Sequence, residues 1–168
     1  DRVRPEARSA IAAIQAMGVR TVLLTGDTRE AAESVAAQLG IAEVVADLLP
    51  QEKRTCVRRL RDAHRIVAMV GDGINDAPAL IEAQVGVAMG SGTDVARESA
   101  DVVLLGNDLA KFAETLAIAR RTRRIIWVNF AGTIGVDTLG IALAASGLLN
   151  PLLAAFIHVA SELTFIPE

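Results

Sequence analysis

The stretch Arg65-Ile66-Val67-Ala68-Met69-Val70-Gly71-Asp72-Gly73-Ile74-Asn75-Asp76-Ala77-Pro78 decides the fold class. Its first six residues read as a strand: after Arg65, Ile66 to Val70 form a short apolar run, the signature of a buried strand rather than a helix. Gly71 and Gly73 break that run and permit close backbone approach to a ligand. Asp72 and Asp76 add two hard oxygen donors of the kind that hold Mg²⁺ beside phosphate oxygens. Pro78 suits the first turn of a following helix. A polar, glycine-bearing loop between a strand and a helix is where ligands bind in open α/β sheets, outside the carboxyl ends of the strands.

A second loop of the same design lies upstream. Val19-Arg20-Thr21-Val22-Leu23-Leu24 reads as a strand and runs directly into Thr25-Gly26-Asp27. A Gly-Asp-Gly or Thr-Gly-Asp turn alone is common punctuation. Two such loops, each placed after an apolar strand, point instead to a phosphate site. Between them lies Lys53, at the start of a helix over 51–64 that follows Leu49-Pro50. Its ammonium is a candidate to neutralise a phosphoryl oxygen. The sequence has no Gly-x-x-x-x-Gly-Lys-Ser/Thr loop, which argues against the P-loop design.

The rest of the first 106 residues fits the same frame. Ala7, Ala10, Ile11, Ile14 and Met17 recur at helical spacing up to Gly18, and Ala32, Val35, Ala36 and Leu39 do so up to Gly40. Val44-Val45, 85–89 and 101–105 read as further strands. Strands alternating with helices of this length predict a parallel sheet covered by helices. The lone cysteine, Cys56, excludes a disulfide framework, and Cys56 and His64 read as ordinary helix residues. A net charge of −3 gives no case for a nucleic-acid partner. The chain opens Asp1-Arg2-Val3-Arg4-Pro5, with no apolar run, so no signal peptide is expected there.

The 168 residues are 52% hydrophobic, but unevenly so. A helical stretch over 110–124 ends in Arg120, Arg121, Arg123 and Arg124. From 125 to 166 the ionisable residues are Asp137, His158 and Glu162 alone. At about 1.5 Å per residue, 125–149 is long enough for a hydrocarbon core of about 30 Å. Asn150-Pro151 makes a turn, and 152–166 begins a second apolar helix that is short for a span. The pattern predicts a transmembrane hairpin with its arginine-rich start on the cytoplasmic side; a hairpin buried in a soluble domain is the rival. Asp137 lies mid-span, where an acid is a functional candidate by default. His158 and Glu162 are four apart, on one helical face, and imidazole with carboxylate suits a borderline divalent ion better than Cu⁺. Helix packing is the competing role for all three.

Thr25-Gly26-Asp27, Pro50-Gln51-Glu52-Lys53, Gly71-Asp72-Gly73-Ile74-Asn75-Asp76-Ala77-Pro78 and the segment from Val85 through Val95-Ala96 to Asp101 resemble the second half of the phosphorylation domain of P-type ATPases, in particular the heavy-metal-transporting type IB pumps. The resemblance implies a partial haloacid-dehalogenase-like α/β domain, Rossmann-like, over 1–108, a basic connecting helix over 109–124 and the transmembrane hairpin over 125–168. It implies that Thr25, Lys53, Asp72, Asn75 and Asp76 serve aspartyl-phosphate chemistry, that Gly26, Asp27, Gly71 and Gly73 border ATP phosphates, and that Asp72 and Asp76 serve Mg²⁺. It further implies that His158 and Glu162, in the last helix, serve a transported divalent heavy-metal ion, with Asp137 joining them as a candidate on its mid-span position alone. The expected setting is the inner membrane, among lipid, with residues 1–124 cytoplasmic. The family nucleophile, the first Asp of Asp-Lys-Thr-Gly-Thr, occurs nowhere in these residues. A carboxy-terminal fragment, inactive without the upstream nucleophile, nucleotide-binding and actuator segments, is therefore expected. The strand expected between the two loop-bearing strands is missing too, which predicts exposed edges and poor stability alone. A soluble phosphohydrolase of the same superfamily and a non-catalytic membrane ion-binding module stay open as alternatives.

Overall fold

The computed structural model describes residues 3–63, 66–72, 74–90, 92–147 and 150. It divides into two compact units, Asp1–Leu116 and Ala117–Glu168. In the first, the elements run α1 (Pro5–Ala16), β1 (Val22–Leu24), α2 (Arg29–Leu39), β2 (Glu43–Val45), α3 (Pro50–Ala63), β3 (Ala68–Gly71), a 3₁₀ turn (Ile74–Asp76), α4 (Ala77–Glu82), β4 (Val85–Ala88), α5 (Asp94–Glu98) and β5 (Val102–Val103). The final helix α6 spans Leu109–Ala145.

All strand pairing among the described residues is parallel, as the alternation of strands and helices requires. It falls into two sheets: β1 with β2, and β3-β4-β5. Leu23 stands opposite Val44; Val70 stands opposite Val87, which faces Val102 on its other side. No described strand pairs β1 with β3, so each is an edge. The strands are also shorter than their apolar runs, since Val19 to Thr21 stand outside β1 and β5 keeps two residues.

Local chemistry sets the helix ends. Pro5 opens α1 with its φ already helical and no N–H to leave unpaired. Gly40, at φ +74°, closes α2 with the left-handed residue that a Schellman turn needs. The Ile41 amide then reaches back to the Ala36 carbonyl at 2.9 Å, and Ile41 packs with Ala36 and Ile11.

Two apolar clusters flank β1. Leu23 and Val44 join Ile11, Ala36 and Ile41 in one. Leu24 packs against the other, made of Val57, Met69, Ala79, Leu80 and Ala96. Successive strand residues point to opposite faces, so β1 ties both clusters together although its sheet has only two strands. Leu80, Val57 and Val87 are the largest fully buried side chains, and burying each is worth about 1.5–3 kcal/mol.

In the second unit, the basic stretch and the apolar stretch distinguished by composition belong to one uninterrupted helix. Its 37 residues correspond to about 55 Å. None of its most apolar window is buried; Ile126, Trp127, Val128, Phe130, Leu139 and Ile141 are all more than half exposed.

Candidate functional site

The first loop is built on β1. The Thr25 amide donates to the Val45 carbonyl at 3.0 Å, extending the ladder by one residue. The Thr25 hydroxyl donates to Asp27 Oδ2 at 3.0 Å and accepts from the Asp27 amide at 3.1 Å. The loop is then fastened to the segment after β2. Leu48 N–H reaches the Thr25 carbonyl at 3.1 Å and Asp47 N–H the Asp27 carbonyl at 2.9 Å. The approach is close: a Cβ on Gly26 would sit 3.0 Å from the Leu48 carbonyl oxygen. Asp47 adopts φ +56° here, a left-handed conformation that aspartate tolerates better than most residues.

That same segment launches α3. The Glu52 carboxylate accepts from the Leu49 amide at 2.8 Å, one arm of a capping box. Lys53, on this first turn, donates through Nζ to Asp76 Oδ1 at 2.8 Å. Both side chains are mostly buried, 16% and 13% exposed. One path of hydrogen bonds and short covalent links thus runs from Thr25 through Leu48 and Lys53 to Asp76.

The second loop receives it. Asp76 precedes α4, yet its carboxylate makes no cap bond there and is turned to Lys53. Gly71, the last residue of β3, allows this: a Cβ on it would lie 2.7 Å from Asp76 Cβ. The Asp72 carbonyl accepts from Thr93 N–H at 3.3 Å, and Thr93 caps α5 through its hydroxyl. The Asp72 carboxylate and the Asn75 side chain remain exposed. Gly73, His158 and Glu162 lie outside the described residues, as does His64. Asp137 sits on α6, in the other unit, half-buried. Among the described residues no hydrogen bond joins Thr25 or Asp27 directly to Asp72, and no group of three or more metal-ligating side chains forms.

One charged cluster was not anticipated. Glu82, at the end of α4, is buried at 7% exposure and receives Arg54, Arg58 and Arg61 of α3 at 2.9, 2.9 and 3.0 Å. Hydrogen bonds from Arg58 and then Arg54 hold its carboxyl at a pKa of about 2. The two helices are thereby locked at both ends: Lys53–Asp76 at the site and Glu82 with the arginines away from it. The arginines recur at i, i+4 and i+7 on one face of α3, a stripe visible in the sequence; their partner is not.

These features converge on one class. The profile of the haloacid dehalogenase-like hydrolases matches residues 1–84, and the chain belongs to that family. Its close homologues are heavy-metal P-type ATPases. It is 49% identical to a "Cation-transporting P-type ATPase B" of Mycobacterium bovis over 154 residues, 92% of this chain and 20% of that protein. It is 48% identical, with the same coverage, to a "Copper-exporting P-type ATPase" of Mycobacterium tuberculosis. The crystal structure of a zinc-transporting PIB-type ATPase in its E2.Pi state superposes with a TM-score of 0.89 at 39% identity, over 98% of this chain and 27% of that one. The chain spans about a fifth of the length of the curated relatives it matches.

Proposed function

We propose that the Asp1–Leu116 unit supplies the magnesium- and phosphate-binding half of an aspartyl-phosphate site in an ATP-driven heavy-metal pump. The observation that carries this reading is the shielded Lys53–Asp76 pair beside the end of β3, next to the exposed Asp72. An ammonium has three donors and no acceptor. Asp76 takes one, fixes Nζ and leaves two for phosphoryl oxygens. The Thr25 hydroxyl and the Gly26 and Asp27 backbone border the phosphates from the other loop. Asn75 orients the phosphoryl group from the second.

The donor set fits Mg²⁺, which is ordinarily held by one or two carboxylates completed by phosphate oxygens and water. Asp72 would hold the ion directly through its exposed carboxylate; Asp76, committed to Lys53, would support it from behind. Bound there, Mg²⁺ neutralises charge on the transferring oxygens. The nucleophilic aspartate would come from outside these 168 residues, since no Asp-Lys-Thr-Gly-Thr occurs within them. The partners of the chain are then the remainder of the pump, with its nucleotide-binding and actuator segments.

The α6 helix supports placement in the membrane, because none of its apolar window finds cover among the described residues. Residues 1–124 would lie on the cytoplasmic side of the inner membrane. Asp137, His158 and Glu162 would contribute to the path of a divalent metal ion. In a chain carrying the nucleophile in cis, Asp72→Ala is expected to abolish Mg²⁺-dependent phosphoenzyme labelling from ATP. Undiminished labelling would refute the magnesium assignment.

A further inference from the structure

The apolar part of α6 begins with an arrangement that the phosphate chemistry does not use. We propose that Arg121, Arg123 and Arg124, with Trp127, form a binding surface for the headgroups of anionic phospholipids. The proposal rests on the membrane placement of α6 argued above.

All three arginines are exposed, and among the described residues their side chains make no ion pair or hydrogen bond. Lys111, by contrast, nearer the start of the same helix, is held by Glu114 at 3.0 Å. Downstream of Glu114 the one acid on α6 is Asp137. It stands thirteen residues beyond Arg124, about 20 Å along the axis at 1.5 Å per residue, too far to neutralise these guanidinium groups. Residues three and four apart share a helix face, so Arg123 and Arg124 both stand one turn before Trp127. The indole is 59% exposed and meets Phe130 edge to face, with ring centroids 6.1 Å apart. Cations, then indole, then phenyl is the polarity order of a membrane boundary, where tryptophan concentrates at headgroup level. From Arg121 to Trp127 the helix rises about 9 Å, enough to cross one polar headgroup layer of about 5–8 Å.

Guanidinium is the cation suited to phosphate, because its planar fork donates two parallel hydrogen bonds and it is weakly hydrated. Several such groups with no acid among them favour a headgroup of net negative charge over a zwitterion. Each basic residue near an anionic surface contributes about 1 kcal/mol, roughly a fivefold preference.

Trp127 is the single tryptophan of the chain, so its fluorescence reads this surface directly. The full 168-residue chain is reconstituted into phosphatidylcholine bilayers doped with phosphatidylglycerol or phosphatidylcholine brominated high on the acyl chain. Brominated phosphatidylglycerol is expected to quench Trp127 at a several-fold lower mole fraction than brominated phosphatidylcholine, about fivefold if a single arginine dominates. The difference should shrink with added salt and vanish in Arg121→Gln/Arg123→Gln/Arg124→Gln. Equal quenching by the two lipids in the unaltered chain, or a preference that survives the triple variant, overturns the proposal while leaving α6 in the bilayer. Quenching by neither lipid removes α6 from the bilayer and overturns the membrane placement together with it.

Discussion

The two sheets of the first unit follow the same parallel rule and reach different results. In the three-stranded sheet, β4 has a partner on each side, and Val87 and Ala88 are fully buried. In the two-stranded sheet every residue of β1 and β2 is half-buried. A parallel strand is at ease only with both faces and both edges covered. β1 and β3, the strands that carry the two candidate phosphate loops, are each an edge of their own sheet. The difference teaches that order in this unit radiates from β4 and α4, while the candidate chemistry sits at two open seams. These seams are stitched from outside the sheets, by the segment at Asp47–Leu49 and by Lys53.

The sharpest way to break that contrast is to truncate one leucine on each side. Leu80, 1% exposed in the cluster of Met69 and Val57, should cost about 2–5 kcal/mol as Leu80→Ala. Leu23→Ala, on half-buried β1, should cost clearly less. Denaturant unfolding of the full chain in detergent measures both. Equal losses would mean that the two sheets share one core of uniform quality.

The next effect tests the tie between α3 and α4. The Glu82 pKa is depressed from 4.5 to about 2. A depressed carboxylate contributes stability that is complete above its unfolded value and is lost as pH falls through the folded one. Wild type should therefore lose stability between about pH 4.5 and pH 2 more steeply than Glu82→Gln, whose arginines face a neutral amide throughout. Parallel pH profiles for the two would show that Glu82 is not the acid-sensitive tie.

How far these features are legible in the sequence depends on how far apart their parts lie. Gly71 to Pro78 declares a loop because all its signals are contiguous. Lys53 is visible as a cation at a helix start, but its partner Asp76 is 23 residues away on another element, and spacing cannot pair them. Arg54, Arg58 and Arg61 form a visible stripe, and a charged stripe ordinarily reads as a solvated face. Only the packing of α4 on α3 buries Glu82 beneath it. Strand ends are hard to read for a related reason: Val19-Arg20-Thr21 leads straight into the apolar Val22 to Leu24, but β2 supplies just three residues to pair with. In α6, composition changes sharply after Arg124, yet backbone hydrogen bonding does not register polarity. The composition changes and the helix continues through it.

The smallest expected effect belongs to the two-stranded sheet and sharpens the contrast from its weak side. Arg20, just before β1, makes a two-pronged ion pair with Glu43 of β2, with side chains 54% and 40% exposed. Ion pairs in such solvent contact typically contribute about 0.2–1 kcal/mol and are screened by salt. Arg20→Ala should therefore lower stability by no more than that, with the difference from wild type fading at high ionic strength. Such a pair cannot do the work of a neighbouring strand, which would satisfy a whole row of backbone donors and acceptors. A salt-insensitive loss well above 1 kcal/mol would show that β1 and β2 are held together by this contact rather than by the cluster of Ile11, Ala36 and Ile41.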